Sequence, residues 1–120
     1  MRVVVADDND DLREMLRILL DLQGIDVVGE ADNGSDAIDL ARELTPDVVL
    51  VDHHMAGMDG LEAATRLRSL DPDLRIILFT GTDDHFLDAH KAHEAGASAV
   101  VSKDVKELVA EIKAGPTRPG

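Results

Sequence analysis

The chain has no cysteine, tryptophan or tyrosine and only two phenylalanines in 120 residues. Without cysteine there is no disulfide framework, no thiolate nucleophile and no Cys-ligated zinc. With two aromatic rings, the stacking platforms that hold single-stranded nucleic acids are nearly excluded. Basic residues are scarce too: 12 Lys and Arg stand against 25 Asp and Glu, a formal net charge of −13. The basic footprint needed for nonspecific contact with nucleic acid or an anionic membrane is therefore missing. Apolar runs reach only four or five residues, far short of the ~20 that cross a bilayer. The segment Met1–Asp8 carries one Arg and an apolar run too short for a secretory signal. The expectation is a cytoplasmic protein that touches neither membrane nor nucleic acid through this segment.

What is present is enough for one folded unit. At 44% hydrophobic residues the chain is globular despite its charge, and its length suits a single domain. Four short apolar runs, Val3–Ala6, Val48–Val51, Ile76–Phe79 and Ala99–Val101, are rich in β-branched residues and do not alternate with polar ones. Strands buried on both faces read this way, and they belong to parallel sheets covered by helices. A fifth segment, Ile25–Ala31, is more polar and reads as an edge strand.

Between these runs the period becomes helical. Stripes are formed by Leu12, Met15, Leu16, Leu19, Leu20 and Leu22; by Ala37, Ile38, Ala41 and Leu44; by Leu61, Ala64, Leu67 and Leu70; by Phe86, Ala89, His90 and His93; and by Val105, Leu108, Val109 and Ile112. Each is expected to cover a sheet face. Gly24 and Gly96 sit where left-handed caps are expected, Pro46 and Pro72 stop two helices, and Asp59 and Asp104 precede helix starts with Glu at the third position. Five β-α units in strict alternation define a doubly wound five-stranded parallel α/β sheet with helices on both faces. The polar second strand fits the flavodoxin-like order 2-1-3-4-5. The folded domain is expected to occupy residues 1–114, with 115–120 a tail or the start of a linker.

In such a sheet, ligands bind beyond the carboxyl ends of the strands. Asp7 and Asp8 follow the first run, Asp52 the run at 48–51, Thr80 the run at 76–79, and Ser102 and Lys103 the last. Three carboxylates on one rim repel, by about 4 kcal/mol per pair at ~4 Å and an effective dielectric of ~20. A hard divalent ion such as Mg²⁺ resolves this. With a Lys and a Thr hydroxyl beside it, the rim suits phosphoryl transfer with Asp52 as the attacking group.

These pieces in this order, Asp7-Asp8, then Val49-Leu50-Val51-Asp52 with Met58-Asp59-Gly60 following, then Phe79-Thr80, then Ser102-Lys103, resemble the receiver domain of bacterial two-component response regulators over residues 2 to about 113. The pattern is closest to the branch with a C-terminal helix-turn-helix effector. The resemblance implies Asp52 as phosphoacceptor, and Mg²⁺ (or Mn²⁺) held by Asp7, Asp8, Asp52 and the backbone carbonyl of His54. It implies Lys103 pairing with the phosphoryl group, and Thr80 turning inward as the switch. The implied partners are a sensor histidine kinase and a C-terminal DNA-binding effector. Homodimerisation enters as a partner class with no residue of its own to support it. His54 and Thr82 are candidates for tuning the phosphoryl lifetime.

Departures from the family pattern bear on the expected output. Ala56 stands where the family usually has Pro, Asp104 where Pro often follows the Lys, and Val100 at the aromatic switch position of the fifth strand. Signalling is therefore expected to run through loop and helix shifts rather than through an aromatic rotamer. The surface expected to show that output comprises His90, Lys91, Glu94, Ser98, Lys106 and Glu107. A regulatory domain rather than a turnover enzyme is expected. The alternatives are a Mg²⁺-dependent phosphohydrolase and a pseudo-receiver that binds partners without phosphorylation. The first is disfavoured because the acidic pair precedes the nucleophile. A nucleotide-binding role lacks any glycine-rich phosphate loop.

Overall fold

The computed structural model describes residues 1–55, 57–80, 89–102 and 104–115. Strands and helices alternate as β1 (Arg2–Ala6), α1 (Asp10–Leu22), β2 (Asp26–Ala31), α2 (Gly34–Leu44), β3 (Val48–Asp52), α3 (Gly60–Leu70), β4 (Arg75–Thr80), α4 (Ala89–Glu94), β5 (Ala99–Ser102) and α5 (Val105–Ala114). All strand pairs are parallel and the order is β2-β1-β3-β4-β5, with the polar strand at the edge. The tail residues 116–120 lie outside the described residues.

The non-alternating runs have a direct cause. Successive side chains of a strand point to opposite faces, and here both faces are covered. Val4, Ala6, Val49, Val51, Ile76 and Leu78 pack with Ala37, Ala41, Ala63, Ala64, Leu67 and Ala92. Val3, Val5, Val48, Leu50, Ile77 and Phe79 pack with Leu16, Leu20, Leu108 and Ile112. Each Val, Leu, Ile or Phe side chain here contributes about 1.5–3 kcal/mol on burial, and each alanine methyl less.

Two helical stripes are narrower than the sequence suggests. In α1 only Leu16 and Leu20 are buried and Leu12 is partly so, whereas Met15 and Leu22 are exposed. At ~100° per residue Leu22 lies about 200° round the helix from Leu20, so the two cannot share a face. In α4 the expected His90 and His93 are exposed, and among its described side chains Ala92 is the one buried against the sheet. A methyl group lets this short helix approach closely, which an imidazole would prevent. Phe86 lies outside the described residues.

The caps agree with the sequence and add to it. Gly24 (φ 76°) and Gly96 (φ 110°) adopt the left-handed conformation, and so does Thr45 (φ 44°), which ends α2 just before Pro46. Asp59 and Asp104 accept backbone N–H bonds at the starts of α3 and α5. Asn9 and Asn33 do the same for α1 and α2.

Two arginines fasten helix ends at the amino edge of the sheet. Arg68 donates from Nε and Nη2 to the Gly96 carbonyl (3.1 and 2.9 Å) and from Nη1 to that of Pro72 (2.8 Å). Together with Thr65, whose hydroxyl donates to the Ala95 carbonyl at 2.8 Å, it ties the turn after α4 to α3. Arg75, the first residue of β4, donates to the carbonyls of Glu111 (2.8 Å) and Ile112 (3.0 Å) and to the Glu111 carboxylate (3.2 Å). These carbonyls belong to the last turn of α5, where a cation also meets the negative end of the helix dipole.

Candidate functional site

β1 ends at Ala6, so Asp7 and Asp8 are the first residues beyond it, and Asp52 is the last residue of β3. Ala6 is in register with Val51 on the neighbouring strand, which puts Asp7 and Asp52 side by side. Asp7 is fully buried, Asp52 is 2% exposed and Asp8 is exposed. One carboxylate oxygen from each of the three lies within 4.8 Å of the others. Among the described residues this is the one cluster of potential metal ligands of that size.

Backbone bonds fix both segments that carry these acids. The Asp7 N–H donates to the Ala31 carbonyl (3.0 Å), the Asn9 N–H to Asp7 Oδ1 (2.8 Å), and Arg13 Nη1 to the Asp7 carbonyl (2.8 Å). On the other strand the His53 N–H donates to the Phe79 carbonyl (3.2 Å), the Gly60 N–H to the His53 carbonyl (3.0 Å), and the His54 N–H to Asp52 Oδ1 (3.2 Å). The first turn of α3 comes down directly on this chain. A Cβ at Gly60 would lie 2.8 Å from His53 Cα and 3.0 Å from the Asp52 carbonyl oxygen, so only glycine permits the approach.

The donor set is entirely hard oxygen, which selects the Mg, Ca and Mn class of cation over softer metals. Octahedral Mg²⁺ binds oxygens at about 2.0–2.1 Å, so opposite ligands stand roughly 4.2 Å apart. The 4.8 Å limit observed here matches a shared ion with small side-chain adjustment or one intervening water. The three acids therefore fit a hard cation.

Thr80 ends β4 and is 8% exposed. It lies one residue beyond Phe79, the register partner of Asp52, and is itself paired with Ser102 on β5. The structure thus brings together Asp7, Asp8, Asp52 and the strand ends bearing Thr80 and Ser102. Ser102 is half-buried, and its hydroxyl donates to Glu107 Oε2 at 2.7 Å. His54 is exposed, with its ring centroid 4.7 Å from that of half-buried His53. Val100 pairs with Leu78 and packs, partly buried, on the α2–α3 side of the sheet. Lys103, Thr82 and Ala56 lie outside the described residues. The expected output surface is exposed at all six of its positions. Some of its groups are engaged within the chain: His90 Nε2 meets Glu94 Oε1 at 2.9 Å, and the Ser98 hydroxyl accepts the Ile76 N–H at 3.1 Å.

Sequence reasoning missed Arg13, whose guanidinium bonds the Asp7 carbonyl. Nothing local marks Arg13, since its bond to Asp7 depends on how α1 crosses the strand. Asn9 was recoverable, because an Asn directly before two acids and a leucine repeat is an N-cap signature.

An all-parallel five-stranded sheet with an acidic cluster at its carboxyl edge defines a doubly wound α/β domain. Residues 3–113 match the response regulator receiver domain family, and the chain belongs to that family. It is 39% identical over 116 residues to the response regulator GacA of Pseudomonas aeruginosa, covering 94% of this chain and 54% of that protein. Among solved structures, the signal receiver domain of NarL from Mycobacterium tuberculosis superposes with a TM-score of 0.84 at 36% identity, covering 94% of this chain and 93% of that one. A LuxR-family two-component response regulator from Aurantimonas sp. SI85-9A1 gives 0.84 at 39% identity, covering 94% and 82%. The chain spans about half the length of the curated relatives it matches. Receiver domains of this family generally bind Mg²⁺ and pair with histidine kinases. No described helix is long and apolar enough to cross a membrane.

Proposed function

We propose that the chain is a phosphorylation-controlled signalling switch of the cytoplasm, which accepts a phosphoryl group on Asp52 from a sensor histidine kinase and passes the change to an effector. The observation that carries this reading is the cluster of Asp7, Asp8 and Asp52 within 4.8 Å, with Asp52 at a strand end in register with Phe79, the residue before Thr80. Mg²⁺ (or Mn²⁺) bound by these acids and the His54 carbonyl would neutralise the cluster and the equatorial phosphoryl oxygens.

One Asp52 carboxylate oxygen attacks phosphorus in line. The bond from phosphorus to the donor's leaving atom breaks, and an acyl phosphate forms on the side chain. The Thr80 hydroxyl donates to a phosphoryl oxygen and the Lys103 ammonium pairs with another. Water later cleaves the acyl phosphate, restoring the carboxylate and releasing inorganic phosphate. The domain is thus a self-modifying regulator and not a turnover enzyme. A DNA-binding effector is the expected recipient, because relatives include the transcription regulator BvgA of Bordetella pertussis. The net charge of −13 argues against DNA contact by this segment itself.

The test is to incubate the chain with a small acyl-phosphate donor, with and without Mg²⁺, and to weigh it intact. The expected result is one phosphoryl group gained only when Mg²⁺ is present. A chain that stays unmodified under both conditions while folded overturns the proposal and leaves the pseudo-receiver reading.

The same reading gives His54, whose exposed imidazole belongs to a residue two positions after the nucleophile, a role in tuning the lifetime of the adduct. Thr82 is assigned the same role from its position two residues after Thr80. His54→Asn is expected to change the first-order dephosphorylation rate severalfold, followed by phosphate release. An unchanged rate removes His54 from the role.

A further inference from the structure

Of the residues between Asp52 and α3, those described after Ala56, Gly57 to Asp59, include one that touches an element contributing nothing to the acidic cluster. Met58 is half-buried and lies over Gly34, the first residue of α2. A Cβ at Gly34 would stand 2.8 Å from Met58 Sδ and 3.2 Å from both its Cβ and Cγ. The contact is close enough that the missing side chain of Gly34 is what admits the methionine. Gly34 is held in place because the Asn33 side chain caps α2, accepting the Asp36 N–H at 2.8 Å.

A ring of contacts then closes. The Asp7 N–H bonds to the Ala31 carbonyl at the end of β2. Three residues later the chain reaches Gly34, Gly34 abuts Met58, and Met58 leads back through the loop to Asp52. The two segments that carry the acids are therefore joined twice, once through the sheet register of β1 and β3 and once round the outside through α2.

We infer that the Met58–Gly34 contact is a latch that sets how the Asp52 loop sits relative to the Asp7-Asp8 pair, and that it ties cation occupancy of the site to α2. This rests on the functional reading above and deepens it by naming positioning residues, Met58 and Gly34, that touch neither cation nor phosphoryl group. The physical reason is geometric. Mg²⁺ demands near-ideal octahedral geometry, so binding favours one loop position, and a loop packed against α2 cannot reach it without α2 responding. By linkage, a cation that shifts the α2 equilibrium is in turn bound more or less tightly when that equilibrium is shifted from the α2 side, by at most the coupling factor between the two.

The experiment is a Mg²⁺ titration followed by backbone amide NMR on the unsubstituted chain, Gly34→Ala, Met58→Ala and the double variant. In the unsubstituted chain the amides of Gly34, Ser35 and Asp36 are expected to shift with the same saturation curve as those of His53 and His54. Gly34→Ala, by crowding Met58, is expected to weaken Mg²⁺ by about fivefold or more. Adding Met58→Ala to it relieves the crowding and recovers most of the affinity. Met58→Ala alone is expected to keep the His53 and His54 response while losing that of Gly34 to Asp36. Amide dispersion in each spectrum reports that the variant is folded, and the double variant separates crowding from a general loss of structure.

A response of α2 that survives Met58→Ala, or Gly34→Ala binding Mg²⁺ as tightly as the parent, overturns the latch while leaving the functional reading intact. No saturable response at His53 or His54 in the parent overturns both.

Discussion

Asp52→Asn is expected to yield a folded chain that acquires no phosphoryl group from a small acyl-phosphate donor with Mg²⁺ present. Asparagine has nearly the shape of aspartate, so the 2% exposed site keeps its packing. Its amide oxygen can still accept the His54 N–H that reaches Asp52 Oδ1 at 3.2 Å. What is lost is the nucleophile, because a neutral amide lacks the charge and lone-pair reactivity of a carboxylate. Intact mass of the parent and variant after identical incubation reads the result. A variant that gains the same mass as the parent would move the phosphoacceptor to another residue and remove Asp52 from the mechanism.

The second large effect concerns the cation. Three acids with oxygens inside 4.8 Å, one of them fully buried, oppose one another in the folded state far more than in the unfolded chain. Mg²⁺ that binds only the folded state stabilises it by about 2.7 kcal/mol at a concentration a hundredfold above Kd. For a domain of this size that is on the order of 10 °C in Tm. Calorimetry in Mg²⁺ against an equal ionic strength of NaCl is expected to show this rise for the parent. It is expected to show less than half of it for Asp7→Asn and for Asp8→Asn, since each removes a charged ligand. A NaCl control that reproduces the full rise would mean simple screening of the −13 charge, and equal rises in all three chains would mean that the cation binds elsewhere.

How much of this was readable in advance depends on how local each cause is. The strands of the centre were legible because burial on both faces forbids polar residues at either parity, and runs such as Val48–Val51 record that constraint directly. The edge position of β2 followed from the same logic in reverse. Asp7, Asp8, Asp52 and Thr80 were legible because a parallel sheet delivers the residues at and just beyond the carboxyl end of each strand to one rim. The extent of the helical stripes was not. Met15 and Leu22 fit a loose reading of the period, yet a helix lying on a sheet buries only a narrow arc, and that arc is set by neighbours distant in sequence. The same holds for Ala92, chosen over His90 and His93 by how closely α4 must approach the sheet. The pairing of Met58 with Gly34, 24 positions apart in the sequence, carries no periodic signal and becomes visible only when α2 and α3 are side by side.

The grip of Arg75 on α5 bears on what a receiver can do mechanically. Three charge-assisted bonds hold Glu111 and Ile112 against the foot of β4, at the end of the sheet away from the acids. With its tail moored there, α5 resists sliding lengthwise. A disturbance arriving from the rim at Ser102 would reach it as a swing about that anchorage, growing in amplitude toward Val105, so anything docked along the outer side of α5 would sense an angle rather than a stroke.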